Sequence, residues 1–237
     1  MVYGWLKQVQ RRLYPPFCLL CAQRCPTERE LCRDCARDLP WNRHACPRCA
    51  LPMPAESGAQ LCGQCLQSPP VWDSAASLLV YDWPLDQLLQ RFKFHGDLAT
   101  GQLLGELLAD FLAALPGTKP DTIVPVPLHS ARLRERRFNQ ALELARPVSR
   151  RLRLRLDSRL CVRRKNTAVQ SKLDARERRR NLRDAFEVRI PIGGAHVAIL
   201  DDVVTTGATV AALSQALREA GAAGIQVWSL ARAARPL

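Results

Sequence analysis

The run VAILDDVVTTGAT, Val197–Thr209, joins an apolar strand, two carboxylates and a small hydroxyl-rich loop that opens a helix. The strand delivers the chain to a sheet edge. Asp201 and Asp202 follow it and can accept hydrogen bonds from a vicinal diol, such as the 2- and 3-hydroxyls of a ribose; they are the candidate catalytic pair. The backbone N–H groups of Thr205, Thr206, Gly207, Ala208 and Thr209 then lie at a helix N-terminus, where a phosphate monoester is well received. The threonine hydroxyls add donors, and Gly207 lets the backbone approach closely. An ordinary strand-to-helix turn with threonine caps and a surface Asp pair is the alternative. A Walker-type loop is excluded because no lysine follows the glycine at the required spacing, and no dinucleotide fingerprint is present.

Outward from this run, Val210–Ala220 is expected to be a helix with Leu213 and Leu217 on one face. Gly221–Gly224 is a turn and Ile225–Leu230 a strand. Residues 196–230 therefore read as strand–loop–helix–strand, the signature of a parallel α/β sheet with ligands beyond its carboxyl edge. Upstream, Ala75–Tyr81 reads as a strand, and Leu85–Phe94 and 98–115 as helices. Asp121–Pro127 (DTIVPVP) reads as a short strand whose two prolines suggest an end position in the sheet or a restricted backbone. Phe138–Leu152 is helical, kinked or divided at Pro147. Residues 166–183 are polar and basic, a long loop or an exposed helix.

The N-terminal third differs. Residues 1–16 read as a short amphipathic helix stopped by Pro15-Pro16. Residues 17–70 are rich in Cys, Pro and Arg and too poor in aliphatics to build a core unaided. Of 10 cysteines in the 237-residue chain, eight form Cys-x-x-Cys pairs: Cys18/Cys21, Cys32/Cys35, Cys46/Cys49 and Cys62/Cys65. Two such knuckles complete a tetrahedral four-thiolate zinc site, closed and structural, so the segment is expected to hold two Zn2+ ions. Sequential pairing closes the shortest loops and is preferred over a crossed pairing. Cys25 and Cys161 stand outside the pattern, Cys25 spare and Cys161 a core cysteine; His44, near Cys46, is a weaker ligand candidate. The domain boundaries expected are 1–16, a zinc module at 17–70, and an α/β domain at 71–237.

The net charge is +13. Residues 129–189 hold 20 Lys+Arg against 7 Asp+Glu, so the whole surplus lies in that segment. A local surplus of this kind points to polyanions: phosphates, pyrophosphate or nucleic acid. A solvated helical face in an Arg-biased chain is the alternative. No run long and apolar enough for a membrane span or a signal peptide is present, which leads to an expected cytoplasmic location.

These motifs together resemble a known family. ILDDVVTTGAT is similar to the PRPP-binding motif of type I phosphoribosyltransferases. The four cysteine pairs, Phe92-Lys93-Phe94-His95-Gly96-Asp97, Val124-Pro125-Val126-Pro127-Leu128, Arg137-Phe138-Asn139-Gln140, Thr167-x2-Gln170, Arg180-Asn181 and Ala185-Phe186 occur in the order seen in the ComF/GntX family, which is associated with natural competence and the use of external DNA. The resemblance implies a type I phosphoribosyltransferase-like sheet behind a double zinc ribbon. It implies Asp201 and Asp202 on the ribose hydroxyls of PRPP, Thr205–Thr209 on the 5-phosphate, and Mg2+ bound with PRPP. His129, Ser130 and Arg132 would form the pyrophosphate loop, and Thr167, Gln170, Arg180 and Asn181 a mobile loop over the site. The implied activity is that of a phosphoribosyltransferase, a pentosyl glycosyltransferase, with an unidentified acceptor. A non-catalytic PRPP-binding adaptor and a single-stranded DNA-binding factor using residues 129–189 are the competing readings. The implied partners are PRPP, single-stranded DNA, other DNA-uptake proteins and a second copy of the chain in a homodimer. One position departs from the family pattern: Arg137 stands where a glycine is usual, which puts the turn beside the pyrophosphate loop in question.

Overall fold

The computed structural model describes residues 16–25, 29–58, 60–165 and 185–234. The helix expected at the N-terminus and the segment carrying Thr167, Gln170, Arg180 and Asn181 lie outside these residues. Five parallel strands form the main sheet: β1 (Ser74–Val80), β2 (Thr122–Pro125), β3 (Arg155–Leu156), β6 (His196–Val204) and β7 (Gly224–Arg232). Their spatial order is β1-β7-β6-β2-β3. A second, antiparallel pair, β4 (Cys161–Arg163) and β5 (Phe186–Val188), stands apart. The central strands β6 and β7 are apolar on both faces, as a sheet covered on both sides requires.

Helices supply the covering layers. α3 (Leu85–Phe94) buries Leu85, Leu88, Leu89 and Phe92, an i, i+3, i+4, i+7 stripe. α4 (Leu98–Ala114) starts at Asp97, whose carboxylate accepts from Thr100 N at 3.0 Å and Thr100 Oγ1 at 2.8 Å. α7 (Ala208–Glu219) turns Val210, Leu213 and Leu217 inward. Two short helices, α1 (Arg33–Asp38) and α2 (Gly63–Gln67), each follow a cysteine at their N-cap.

The structure differs from the sequence reading at three points. Pro147 does not divide its helix: α6 runs unbroken from Gln140 to Leu152. Its ring fills the close approach of α6 to α4, where a Cβ on Gly105 would stand 2.8 Å from Pro147 Cγ. That packing offsets the lost backbone bond. β2 is not an edge strand, since it pairs with both β6 and β3. Its tolerance of Pro125 follows from the brevity of β3, which reaches only as far as Ile123. A further helix, α5 (Ser130–Arg136), occupies a stretch with no expected element.

The cysteine-rich segment is not a free appendage. Val80 N donates to Pro40 O at 2.7 Å and Asn42 N to Leu78 O at 3.0 Å, so the segment covers the outer edge of β1. Cys18, Leu31 and Leu39 share a core with α3 and α4; Cys46, Cys49, Cys62 and Cys65 share one with Trp72, β6 and α7.

Candidate functional site

β6 extends to Val204, so Asp201 and Asp202 lie within the strand's C-terminal part rather than after it. Both are half-buried. Lys93, near the C-terminal end of α3, places Nζ 2.7 Å from Asp202 Oδ2, with the two side chains 19% and 15% exposed. Burial works against the Asp202 carboxylate, but the Lys93 charge outweighs it and holds the carboxyl below its usual range. Asp201 goes the other way: burial, then the Asp202 charge alongside, push it well above that range. Two carboxyls with opposite shifts form one titrating unit. The donor set fits a divalent cation, which would relieve the repulsion that raises Asp201. Sequence reading did not assign Lys93. Its partner lies more than a hundred residues downstream, and only the tertiary fold brings them together.

The loop after β6 has the expected form. Gly207 is the N-cap of α7 with φ 79°. Thr206 Oγ1 accepts from Ala208 N at 3.3 Å, Thr206 is exposed, and Thr205, Ala208 and Thr209 are half-exposed. The α7 N-terminus therefore meets solvent beside the Asp pair, as an anion site must.

The loop after β2 lies alongside. Val126 N donates to Leu200 O at 2.9 Å, which fixes it next to the end of β6. Asn139 Nδ2 donates to Val126 O at 3.0 Å, while Asn139 Oδ1 accepts from Ala141 N, capping α6. His129 caps α5: its Nδ1 accepts from Ala131 N at 3.3 Å; Ser130 is exposed and Arg132 half-exposed. Arg163, on β4, belongs to the same space. Burial depresses its guanidinium, the Arg132 charge adds to this, and Asp201 opposes it. Sequence reading missed Arg163 because it lies among many arginines with nothing local to mark it. Arg137 adopts φ 66°, ψ −14° at the C-cap of α5. The left-handed turn that favours glycine is thus kept, with the strain of a side chain there.

The cysteines gather sequentially. Cys18, Cys21, Cys32 and Cys35 form one group and Cys46, Cys49, Cys62 and Cys65 another, each with its sulfurs within 4.8 Å of one another. Cys21 Sγ and Cys32 Sγ are 3.8 Å apart, and Cys49 Sγ and Cys62 Sγ 3.6 Å. A tetrahedron with Zn–S bonds of about 2.3 Å has edges of about 3.8 Å, so these spacings fit zinc and are far too long for disulfides. Backbone N–H groups also favour thiolate: against the effect of burial, they draw Cys18 down to about 6 and Cys46 to about 7. His44 is exposed and outside both groups. Cys161 is a core cysteine, pushed up to about 12 by burial and Asp157.

A parallel sheet ending in an Asp pair and a threonine–glycine loop, behind two four-cysteine centres, defines a class: a type I phosphoribosyltransferase-like domain carrying a double zinc ribbon. A family model described as a double zinc ribbon domain matches residues 9–66. "DNA utilization protein YhgH" of Escherichia coli (strain K12) is 40% identical over 219 residues, 91% of this chain and 89% of the relative. "Competence protein F" of Haemophilus influenzae is 39% identical over 184 residues, 74% and 80% of the two chains. The chain belongs to the ComF/GntX family. Among solved structures, a purine phosphoribosyltransferase from Pyrococcus horikoshii Ot3 aligns at TM-score 0.32 and 16% identity, over 68% of this chain and 90% of that one.

Proposed function

We propose that the site binds PRPP and that the protein is a phosphoribosyltransferase-like factor in the utilisation of external DNA. The observation that carries this reading is the oppositely shifted pair Asp201–Asp202, anchored by Lys93 and followed at once by the open N-terminus of α7. The pair accepts from the two ribose hydroxyls, and the Thr205–Thr209 amides receive the 5-phosphate. Arg132 and Arg163 face the diphosphate, where their charge stabilises the leaving group. Mg2+, held with the ligand by the Asp pair, would supply further charge neutralisation. In turnover the anomeric C–O bond to pyrophosphate breaks and a bond to the acceptor forms, through an oxocarbenium-like transition state. The DNA-utilisation role is supported by the names of the relatives.

Calorimetric titration with PRPP and Mg2+ is the test. Binding that is lost in Asp201→Asn/Asp202→Asn is expected; no heat at millimolar ligand would overturn the reading. Pyrophosphate release with a nucleobase acceptor separates an enzyme from a PRPP-binding adaptor.

A second reading, binding of single-stranded DNA, is favoured by one surface. Phe94 is 70% exposed, and the Arg136 guanidinium lies 5.7 Å from its ring centroid. An exposed ring beside a cation on a basic helix is a stacking platform for a base.

A further inference from the structure

We propose that the second four-cysteine centre is the foundation of the phosphate loop, with Arg232 and Trp72 as the positioning residues through which its zinc holds Thr205–Thr209 in shape. The functional half of this rests on the reading of that loop as a phosphate site.

The Cys46–Cys49 knuckle presents two carbonyls toward the α/β domain, and each is taken by a side chain that also supports the loop. Trp72 Nε1 donates to Arg48 O at 2.6 Å. The same indole lies under Gly207, where a Cβ would stand 3.2 Å from Trp72 Cη2. Arg232 Nε donates to Cys49 O at 3.1 Å. Its Nη1 donates to Val204 O and Ala233 O, both at 3.0 Å, and to Thr205 O. Arg232 is only 7% exposed, at the end of β7. A buried guanidinium requires a counter-charge. The zinc–tetrathiolate centre, with a net charge of about −2, provides one.

Two ties of different chemistry therefore run from one metal knuckle to the start and the middle of the loop. Metal fixes the directions of the knuckle carbonyls, and those carbonyls fix Trp72 and Arg232. The first centre has no such ties among the described residues. Its neighbourhood is joined instead to the helices, through Arg91, which donates to Leu19 O, and Arg29, which pairs with Asp110. The two zinc sites thus have different duties: the first docks the ribbon, the second shapes the ligand site.

The experiment uses the full chain with its zinc counted by metal analysis. Trp72→Phe deletes the indole N–H and Arg232→Met the guanidinium, and both keep all eight cysteines. With two zinc ions retained, amide exchange across 205–209 is expected to speed up about tenfold, and ribose 5-phosphate affinity to fall about tenfold, the worth of one hydrogen bond. In the unaltered protein, saturating ribose 5-phosphate is expected to slow chelator extraction of the second zinc and leave the first unchanged. Unaltered loop exchange in both variants would overturn the coupling. Should Arg232→Met not fold, Trp72→Phe and the extraction kinetics decide. Failure of the unaltered protein to bind ribose 5-phosphate would sink the phosphate reading, while the exchange measurement still tests the mechanical link.

Discussion

Asp201 and Asp202 repel each other, and the fold tolerates them because Lys93 neutralises one. The sign of the linkage differs between them. Asp202 is lowered in the folded state, so its stabilisation is present above the ordinary carboxylate pKa and is lost as pH falls through the depressed value. Asp201 is raised, so its contribution is full below the ordinary pKa and is lost as pH rises through the raised value. Asp201→Asn should therefore raise the melting temperature of the ligand-free protein at neutral and alkaline pH. Asp202→Asn should lower stability by about 2 kcal/mol, because Lys93 loses its partner. Melting curves across pH check both, and equal shifts in the two variants would contradict the asymmetry. Arg137 offers a second test. Its φ of 66° suits glycine, so Arg137→Gly should stabilise by about 0.5–1 kcal/mol in urea unfolding. The Asp pair and the threonine loop were legible in sequence because each is local. Lys93 and Arg163 were not, because their roles arise from tertiary contact alone.

At the scale of elements, apolar periodicity found α3 with its observed bounds, and α4, α7, β1 and β7 within a few residues. It failed for α5, whose seven residues SARLRER carry no apolar stripe; that helix is held by the His129 cap and the Arg137 turn instead. The fit of α3 to α4 is tight. A Cβ on Gly101 would lie 2.3 Å from Phe92 Cε2, and Phe92 also meets Phe138 with centroids 5.4 Å apart. Gly101→Ala should cost about 2 kcal/mol by overpacking and, by displacing Phe92, disturb the neighbouring Lys93–Asp202 pair. Denaturation together with the pH profile of melting reads both effects. The two cysteine centres also differ as elements. All four ligands of the second are buried, whereas Cys21 of the first is exposed and Cys32 and Cys35 are intermediate. Under a chelator the first zinc should leave faster, giving two kinetic phases of one equivalent each; a single phase would contradict the burial difference.

Over the described part of the molecule, Arg132 and Arg163 of the basic segment lie near Asp201, so one surface has two candidate anionic ligands. They differ in what they require. A sugar phosphate needs the Asp pair and the α7 N-terminus, and its binding should vanish in Asp201→Asn/Asp202→Asn. A single strand needs cations along a track and rings on which bases stack, for which Phe94 and Arg136 are the exposed candidates. Phe94→Ala/Arg136→Ala should weaken single-stranded DNA binding by about 1–3 kcal/mol per lost stack. It should also reduce the slope of log K against log salt by about 0.7, since one phosphate contact goes with Arg136. The Asp variant should leave DNA affinity unchanged or improve it, because removing carboxylates from a basic face raises its potential. Titrating labelled oligonucleotide at several salt concentrations against both variants separates the ligands. If the Asp variant lost DNA binding along with the sugar phosphate, the strand would be entering the same pocket.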